Sequence, residues 1–187
     1  MHPATHLLLG WMAANIKPLE KRDRGLVTLA GVIPDVDGLG IVADLITHKG
    51  EFVWYGHFHH VLGHNIGLAA LIAITTIALA RRRLITAALA MASFHLHLLG
   101  DLVGSRGPDG YRWPINYFFP FSNAWQATWQ GQWQLNSWPN ILLTVILLAG
   151  TFYLAWKRGY SPIELVSVPA DKKFVAILRN RFGNPNS

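Results

Sequence analysis

The feature that most constrains this chain is a set of long apolar runs, each ending in a cluster of cations. Residues 66–80 carry no charged side chain, and Arg81, Arg82 and Arg83 follow at once. With residues 61–65 ahead of it, this run makes about 20 helical residues, enough to span a ~30 Å hydrocarbon core. Residues 84–104 read as a second long helix. Residues 141–156 read as a third, closed by Lys157 and Arg158. A shorter helix over 4–16 and an apolar segment over 26–33, stopped by Pro34, precede them. Further cations sit at Lys17, Lys21, Arg22 and Arg24, and at Lys172, Lys173, Arg179 and Arg181. Basic groups placed this way mark helix ends at a membrane surface. The expected fold is an all-α, antiparallel helical bundle, membrane-associated, either integral or monotopic.

Composition narrows the choice. A length of 187 residues suits one domain, and 14% charged residues fall short of the roughly 25% that coats a soluble protein. The net charge of +6 suits an anionic membrane surface. Nucleic acid is not expected, because no aromatic-interleaved basic stripe accompanies the charge. With no cysteine, thiolate nucleophiles and cysteine-type metal modules are excluded. Residues 1–15 lack a basic stretch and a small-residue cleavage site, so His2 and His6 are expected to persist in the mature chain. Residues 1–160 form the helical domain. Within it, 105–139 are loop-like and aromatic-rich, and Trp125, Trp129 and Trp133 are spaced for one helical face among glutamines, which suits an interfacial segment as well as a core stripe. Residues 161–187 read as a polar, basic tail that frays.

The histidines and acids are not scattered. His97 and Asp101, four apart, share a helix face. Such a pair alone is weak evidence, and a structural hydrogen bond would explain it. Topology adds to it. If residues 81–83 turn a helical hairpin, His64 lies 17 residues before it and Asp101 lies 18 after it. Both then sit roughly 25 Å from the turn. His6 is 11 residues before Lys17, and Asp35 is 11 after Arg24, which is roughly 17 Å from the first basic loop. The mismatch of about 8 Å implies that the short pair packs on the long hairpin and does not span beside it. Folded so, the chain gathers His6, Asp35, Asp37, His59, His64, His97 and Asp101 at one end and the basic turns at the other.

Imidazoles and carboxylates without thiolate suit Zn²⁺, Mn²⁺ or Fe²⁺, and buried charges are costly unless paired or metal-bound. One or two ions are expected. In a two-ion site a bridging carboxylate, here Asp101 or Asp35, holds the ions about 3.5–4 Å apart while they activate water and stabilise phosphoryl oxygens. Asp35 and Asp37 lie in Pro34-Asp35-Val36-Asp37-Gly38, where helix capping would explain either one alone. His57 and His95 are expected beside the ligands or as buried polar groups, and His2 and His48 exposed. Arg106 and Arg112 could meet a substrate phosphate, but surface cations that snorkel are the preferred reading.

Thr5-His6, Pro34-Asp35-Val36-Asp37, the 59–65 segment, His97-Leu98-Leu99-Gly100-Asp101 and Trp113-Pro114 resemble the YdjM-like family of inner-membrane-associated proteins regarded as metal-dependent hydrolases. That family in turn resembles the all-helical zinc-dependent phospholipase C fold. The resemblance implies His6, Asp35, His59, His64, His97 and Asp101 as metal ligands, with Asp37 as a ligand or its support. Zn²⁺ is the first expectation. Asp101 and Asp37 are the candidate catalytic carboxylates. Helical spacing pairs His60 with His64 whereas family spacing pairs His59 with His64, and His59 is carried as the ligand. The family segment His-Arg-x-x-Thr-His-Ser is here His59-His60-Val61-Leu62-Gly63-His64-Asn65.

The resulting expectation is a metal-dependent hydrolase of the cell inner membrane acting on a phosphoester, either a membrane lipid or a small molecule. A non-enzymatic metal-binding membrane protein is one alternative. A di-iron oxidative enzyme, suggested by the crowding of His57, His59 and His60, is another, against which Asp35, Asp37 and Asp101 argue. The positive-inside rule puts the basic turns in the cytoplasm and the ligand end toward the outer face.

Overall fold

The structure, a computed structural model, describes residues 1–47 and 53–185. Among these residues it is all-helical: α1 (Pro3–Ala14), α2 (Lys21–Ala30), a 3₁₀ turn (Ile33–Leu39), α3 (Gly40–Thr47), α4 (Val53–Phe58), α5 (Ile66–Leu79), α6 (Arg83–Gly104), α7 (Trp138–Arg158), a second 3₁₀ turn (Pro162–Leu165) and α8 (Val168–Phe182). α6 is the central element and packs against α1, α2 and α5, while α1 also meets α7. Trp11, Val27, Ala90 and Phe94 are fully buried in the core.

Small residues bring the helices unusually close. A Cβ on Gly31 would lie 2.6 Å from Ser93 Oγ, and one on Gly10 would lie 2.8 Å from the Thr28 carbonyl oxygen. Such contacts let helix backbones approach where lipid supplies no hydrophobic drive. Thr86 Oγ1, on the fourth residue of α6, donates to Asp23, on the third residue of α2, at 2.9 Å, so the first turns of the two helices lie side by side.

Two helices among the described residues, α6 and α7, are long and apolar enough to cross a membrane, and a third span exists if α2 and Ile33–Thr47, bent by 50°, count as one. Only 22% of the apolar window of α7 is buried, leaving Ile141, Val145 and Ile146 exposed as a face that fits lipid.

Three expectations are corrected. Residues 61–65 do not extend the helix that follows: Asn65 Oδ1 accepts from Leu68 N at 3.0 Å and caps α5 there. At 14 residues, α5 is about 21 Å long and too short to span. Trp125, Trp129 and Trp133 share no helical face, because residues 105–137 form no helix; isolated bridges, Arg106 with Gln134 and Ile115 with Ala127, organise that segment. The tail does not fray over its described residues. Arg24 Nε and Nη2 donate to Glu164 at 2.8 and 2.9 Å, and Asp171 accepts from Ser161 N and Oγ at 2.8 and 2.6 Å. These contacts seat α8 on the basic end of the bundle. His48 and residues 186–187 lie outside the described residues.

Candidate metal centre

α6 carries His97 and Asp101 one turn apart on its buried face. His97 Nδ1 donates to the Gly31 carbonyl oxygen at 2.9 Å, a bond that the close α2–α6 packing makes reachable. Because a carbonyl can only accept, Nδ1 carries a proton, and Nε2 is the ring atom turned to the cluster, 3.0 Å from Asp101 Oδ2. α1 contributes His6, whose Nε2 lies 3.1 Å from Asp101 Oδ1. The first 3₁₀ turn places Asp35 Oδ1 3.5 Å from His97 Nε2.

The turn between α4 and α5 completes the cluster. A Cβ on Gly63 would fall 2.0 Å from the Pro34 carbonyl oxygen, so only glycine lets this turn sit on the 3₁₀ turn. Asp37 then accepts from Gly63 N at 2.8 Å, His64 Nδ1 at 3.0 Å and His59 Nδ1 at 2.9 Å. Asp37 is therefore the orienting carboxylate for His64, whose Nε2 points at Asp101 Oδ2 at 3.2 Å. His60 takes a left-handed backbone, φ 65°, uncommon for a residue with a side chain and frequent at functional sites. Its ring is turned inward, with Nε2 3.9 Å from Asp101 Oδ2.

Two groups of ligand atoms result, each within 4.8 Å of one another: His6, Asp35, His97 and Asp101, and His60, His64 and Asp101. Asp101 belongs to both. Its Oδ1 faces His6, while Oδ2 faces His64 and His97. The donor set fits a divalent cation. His64 Nε2 and His97 Nε2 stand 3.1 Å apart beside Asp101 Oδ2 while both Nδ1 atoms are bonded elsewhere, so on loss of the His64 proton both Nε2 atoms would be turned toward a cation at that carboxylate. His6 Nδ1, His60 Nδ1 and Asp35 Oδ2 are buried without partners. Burial would lower the pKa of His64, but the hydrogen bonds to Asp101 and Asp37 outweigh it and raise it to about 9. Burial instead pushes His60 well below the usual imidazole value, only partly offset by Asp101.

Of the residues singled out in the sequence, His6, Asp35, His64, His97 and Asp101 meet directly. Asp37 and His59 stand behind His64, bonded to each other. His60, not carried as a ligand, joins the second group; its left-handed turn is not visible in helical spacing. His57 and His95 are exposed and away from the cluster: His57 Nδ1 bonds the Val53 carbonyl oxygen, and His95 bonds the Met91 carbonyl oxygen and the Tyr117 hydroxyl. Ser105 is new to the site and donates to Asp101 Oδ1 at 2.8 Å. Gln132 is also new. Its Nε2 donates to the Asp101 carbonyl oxygen at 2.9 Å and holds the aromatic segment across the end of α6. A cavity of about 710 Å³ opens onto the cluster, lined by Asp35, His60, Tyr55, Trp113 and Arg106 among others.

The molecule is thus an all-helical membrane protein with a buried histidine–aspartate cluster able to hold metal at one end. The chain belongs to the YdjM inner membrane protein family, whose family model matches residues 1–171. No curated protein matches the chain. No solved structure matches it either.

Proposed function

We propose that this protein is a metal-dependent hydrolase acting on phosphoesters at the inner membrane. The observation that carries this reading is Asp101 shared by two adjoining ligand groups, the arrangement that two-ion phosphoesterases use. A bound divalent ion, Zn²⁺ by preference and Mn²⁺ or Fe²⁺ otherwise, supplies Lewis acidity that activates water and offsets charge on phosphoryl oxygens. His6, Asp35, His97 and Asp101 would hold one ion, and His60, His64 and Asp101 a second. Asp37 fixes the His64 tautomer, leaving Nε2 as the ligand atom. The cavity favours turnover over storage, since a storage site needs no space for a substrate. Its aromatic lining and the exposed Leu39 at its edge suit a phosphoester that carries an apolar group, such as a membrane lipid. With Arg81, Arg82 and Arg158 at the far end, the positive-inside rule directs the cavity toward the outer face.

The test is turnover of bis-p-nitrophenyl phosphate by detergent-purified protein, with metal content measured by mass spectrometry. Asp101→Asn is expected to lower turnover by more than about 100-fold, beyond the 10- to 100-fold typical of residues that only orient a ligand. Wild-type turnover in that variant would sink the reading.

A further inference from the structure

Arg106 leaves α6 two residues beyond Gly104, and its backbone is held on both sides. Its N–H donates to the Trp133 carbonyl oxygen at 3.0 Å, and its carbonyl oxygen accepts from Leu135 N at 3.2 Å. The side chain is half-buried, lines the cavity with Asp35 and His60, and has its Nε sealed from solvent with no hydrogen-bond partner. Among the described residues no carboxylate is paired with it. A snorkelling cation would have its guanidinium in water, and Arg112, which is exposed, fits that description. Arg106 is half-buried, and the part of its side chain that is not sealed stands in the cavity wall. A cation there with no carboxylate partner suits an anion in the cavity, and the carboxylate nearest in chain, Asp109, is engaged by Tyr111 N at 3.1 Å.

Resting on the hydrolase reading above, we propose that Arg106 is the phosphate-binding residue of the cavity. It grips a non-bridging phosphoryl oxygen of the substrate while the histidine–aspartate cluster faces the bond to be cut. The planar guanidinium suits phosphate by paired N–H donors. The same chemistry serves a lipid headgroup and a free phosphate, and the apolar lip at Leu39 distinguishes them only through a tail.

Isothermal titration of metal-loaded, detergent-purified full chain with inorganic phosphate tests this. Arg106→Gln is expected to weaken phosphate binding by roughly 10- to 100-fold, as lost charge-assisted hydrogen bonds do. Arg106→Lys should fall between the two and Arg112→Gln should match wild type, with metal content unchanged in all. Phosphate affinity in Arg106→Gln within about twofold of wild type, at wild-type metal content and helicity, would overturn the proposal. So would a metal-loaded wild type that binds no phosphate. Wild type that holds no metal yet binds phosphate through Arg106 would sink the hydrolase reading and leave the anion site standing. In a parallel titration, Arg106-dependent binding of dioctanoyl phosphatidic acid tighter than that of phosphate assigns the site to a lipid headgroup. Equal affinities assign it to free phosphate.

Discussion

At the basic end of the bundle Asp23 accepts from Arg81 N, Arg82 N and Thr86 Oγ1, and Glu164 is clasped by two nitrogens of Arg24. At the other end Asp101 is surrounded by imidazole Nε2 atoms of His6, His64 and His97, and three buried polar atoms of the cluster lack partners. Both ends bury carboxylates. The first end meets them with fixed donors, which closes the helix termini and seats the tail. The second meets Asp101 with the Met1 ammonium, the Ser105 hydroxyl and three imidazoles whose protons a metal ion can replace, an arrangement that serves no capping purpose.

That contrast predicts a crossed pair of outcomes. Asp101→Ala is expected to abolish metal binding while the purified protein keeps its helical circular dichroism. Arg24→Gln leaves Glu164 buried without its partner and should cost about 3–5 kcal/mol of stability, with metal content unchanged. Loss of metal in Arg24→Gln at a temperature where it remains folded would show that the two ends are coupled, and the comparison would fail.

A smaller effect is expected from pH. Without metal, the pKa of His64 is raised to about 9 against about 6.5 in the unfolded chain. A raised pKa stabilises the folded state fully below the unfolded value and loses that contribution as pH rises through the folded one. The metal-free protein should therefore lose thermal stability between about pH 6.5 and 9. Metal must displace that proton, so loading should strengthen over the same range and the loaded protein should not show the decline. Melting temperatures of both forms across this range check the sign; parallel curves would mean that metal does not reach His64.

The convergence of the ligand end was legible because counting residues from a charged turn needs only helical rise, and His97 with Asp101 needs only helical spacing. What spacing misses is backbone that is not helical. The 61–65 segment reads as the start of an apolar helix, yet Gly63 against Pro34 and the Asn65 cap make it a turn. The aromatic segment has helical tryptophan spacing, but Gln132 Nε2 and Trp133 N tie it to the end of α6, at the Asp101 and Val103 carbonyl oxygens, by hydrogen bonds that no period encodes. The fate of the tail rests on Arg24 and Glu164, 140 residues apart. A polar stretch reads as frayed until its distant partner is known.

The choice between His59 and His60 is the place where that limit touches the chemistry. Family spacing favours His59 and helical spacing favours His60, but neither rule describes a turn whose second histidine is left-handed. In the structure His59 Nδ1 is bonded to Asp37, so His59 acts on the cluster only through the carboxylate that orients His64. His60 has no bond on Nδ1 and directs Nε2 toward Asp101. His60→Ala should therefore remove a ligand of the second group and lower metal content by up to one equivalent. His59→Ala removes support two bonds from the metal and is expected to weaken metal affinity by about 10-fold, the low end for an orienting partner, without changing the number of ions held at saturation. Metal titrations of the two variants side by side give the order. If His59→Ala loses the ion and His60→Ala keeps it, the ligand is the one that family spacing names, and the inward ring of His60 is packing against His64 and Trp113.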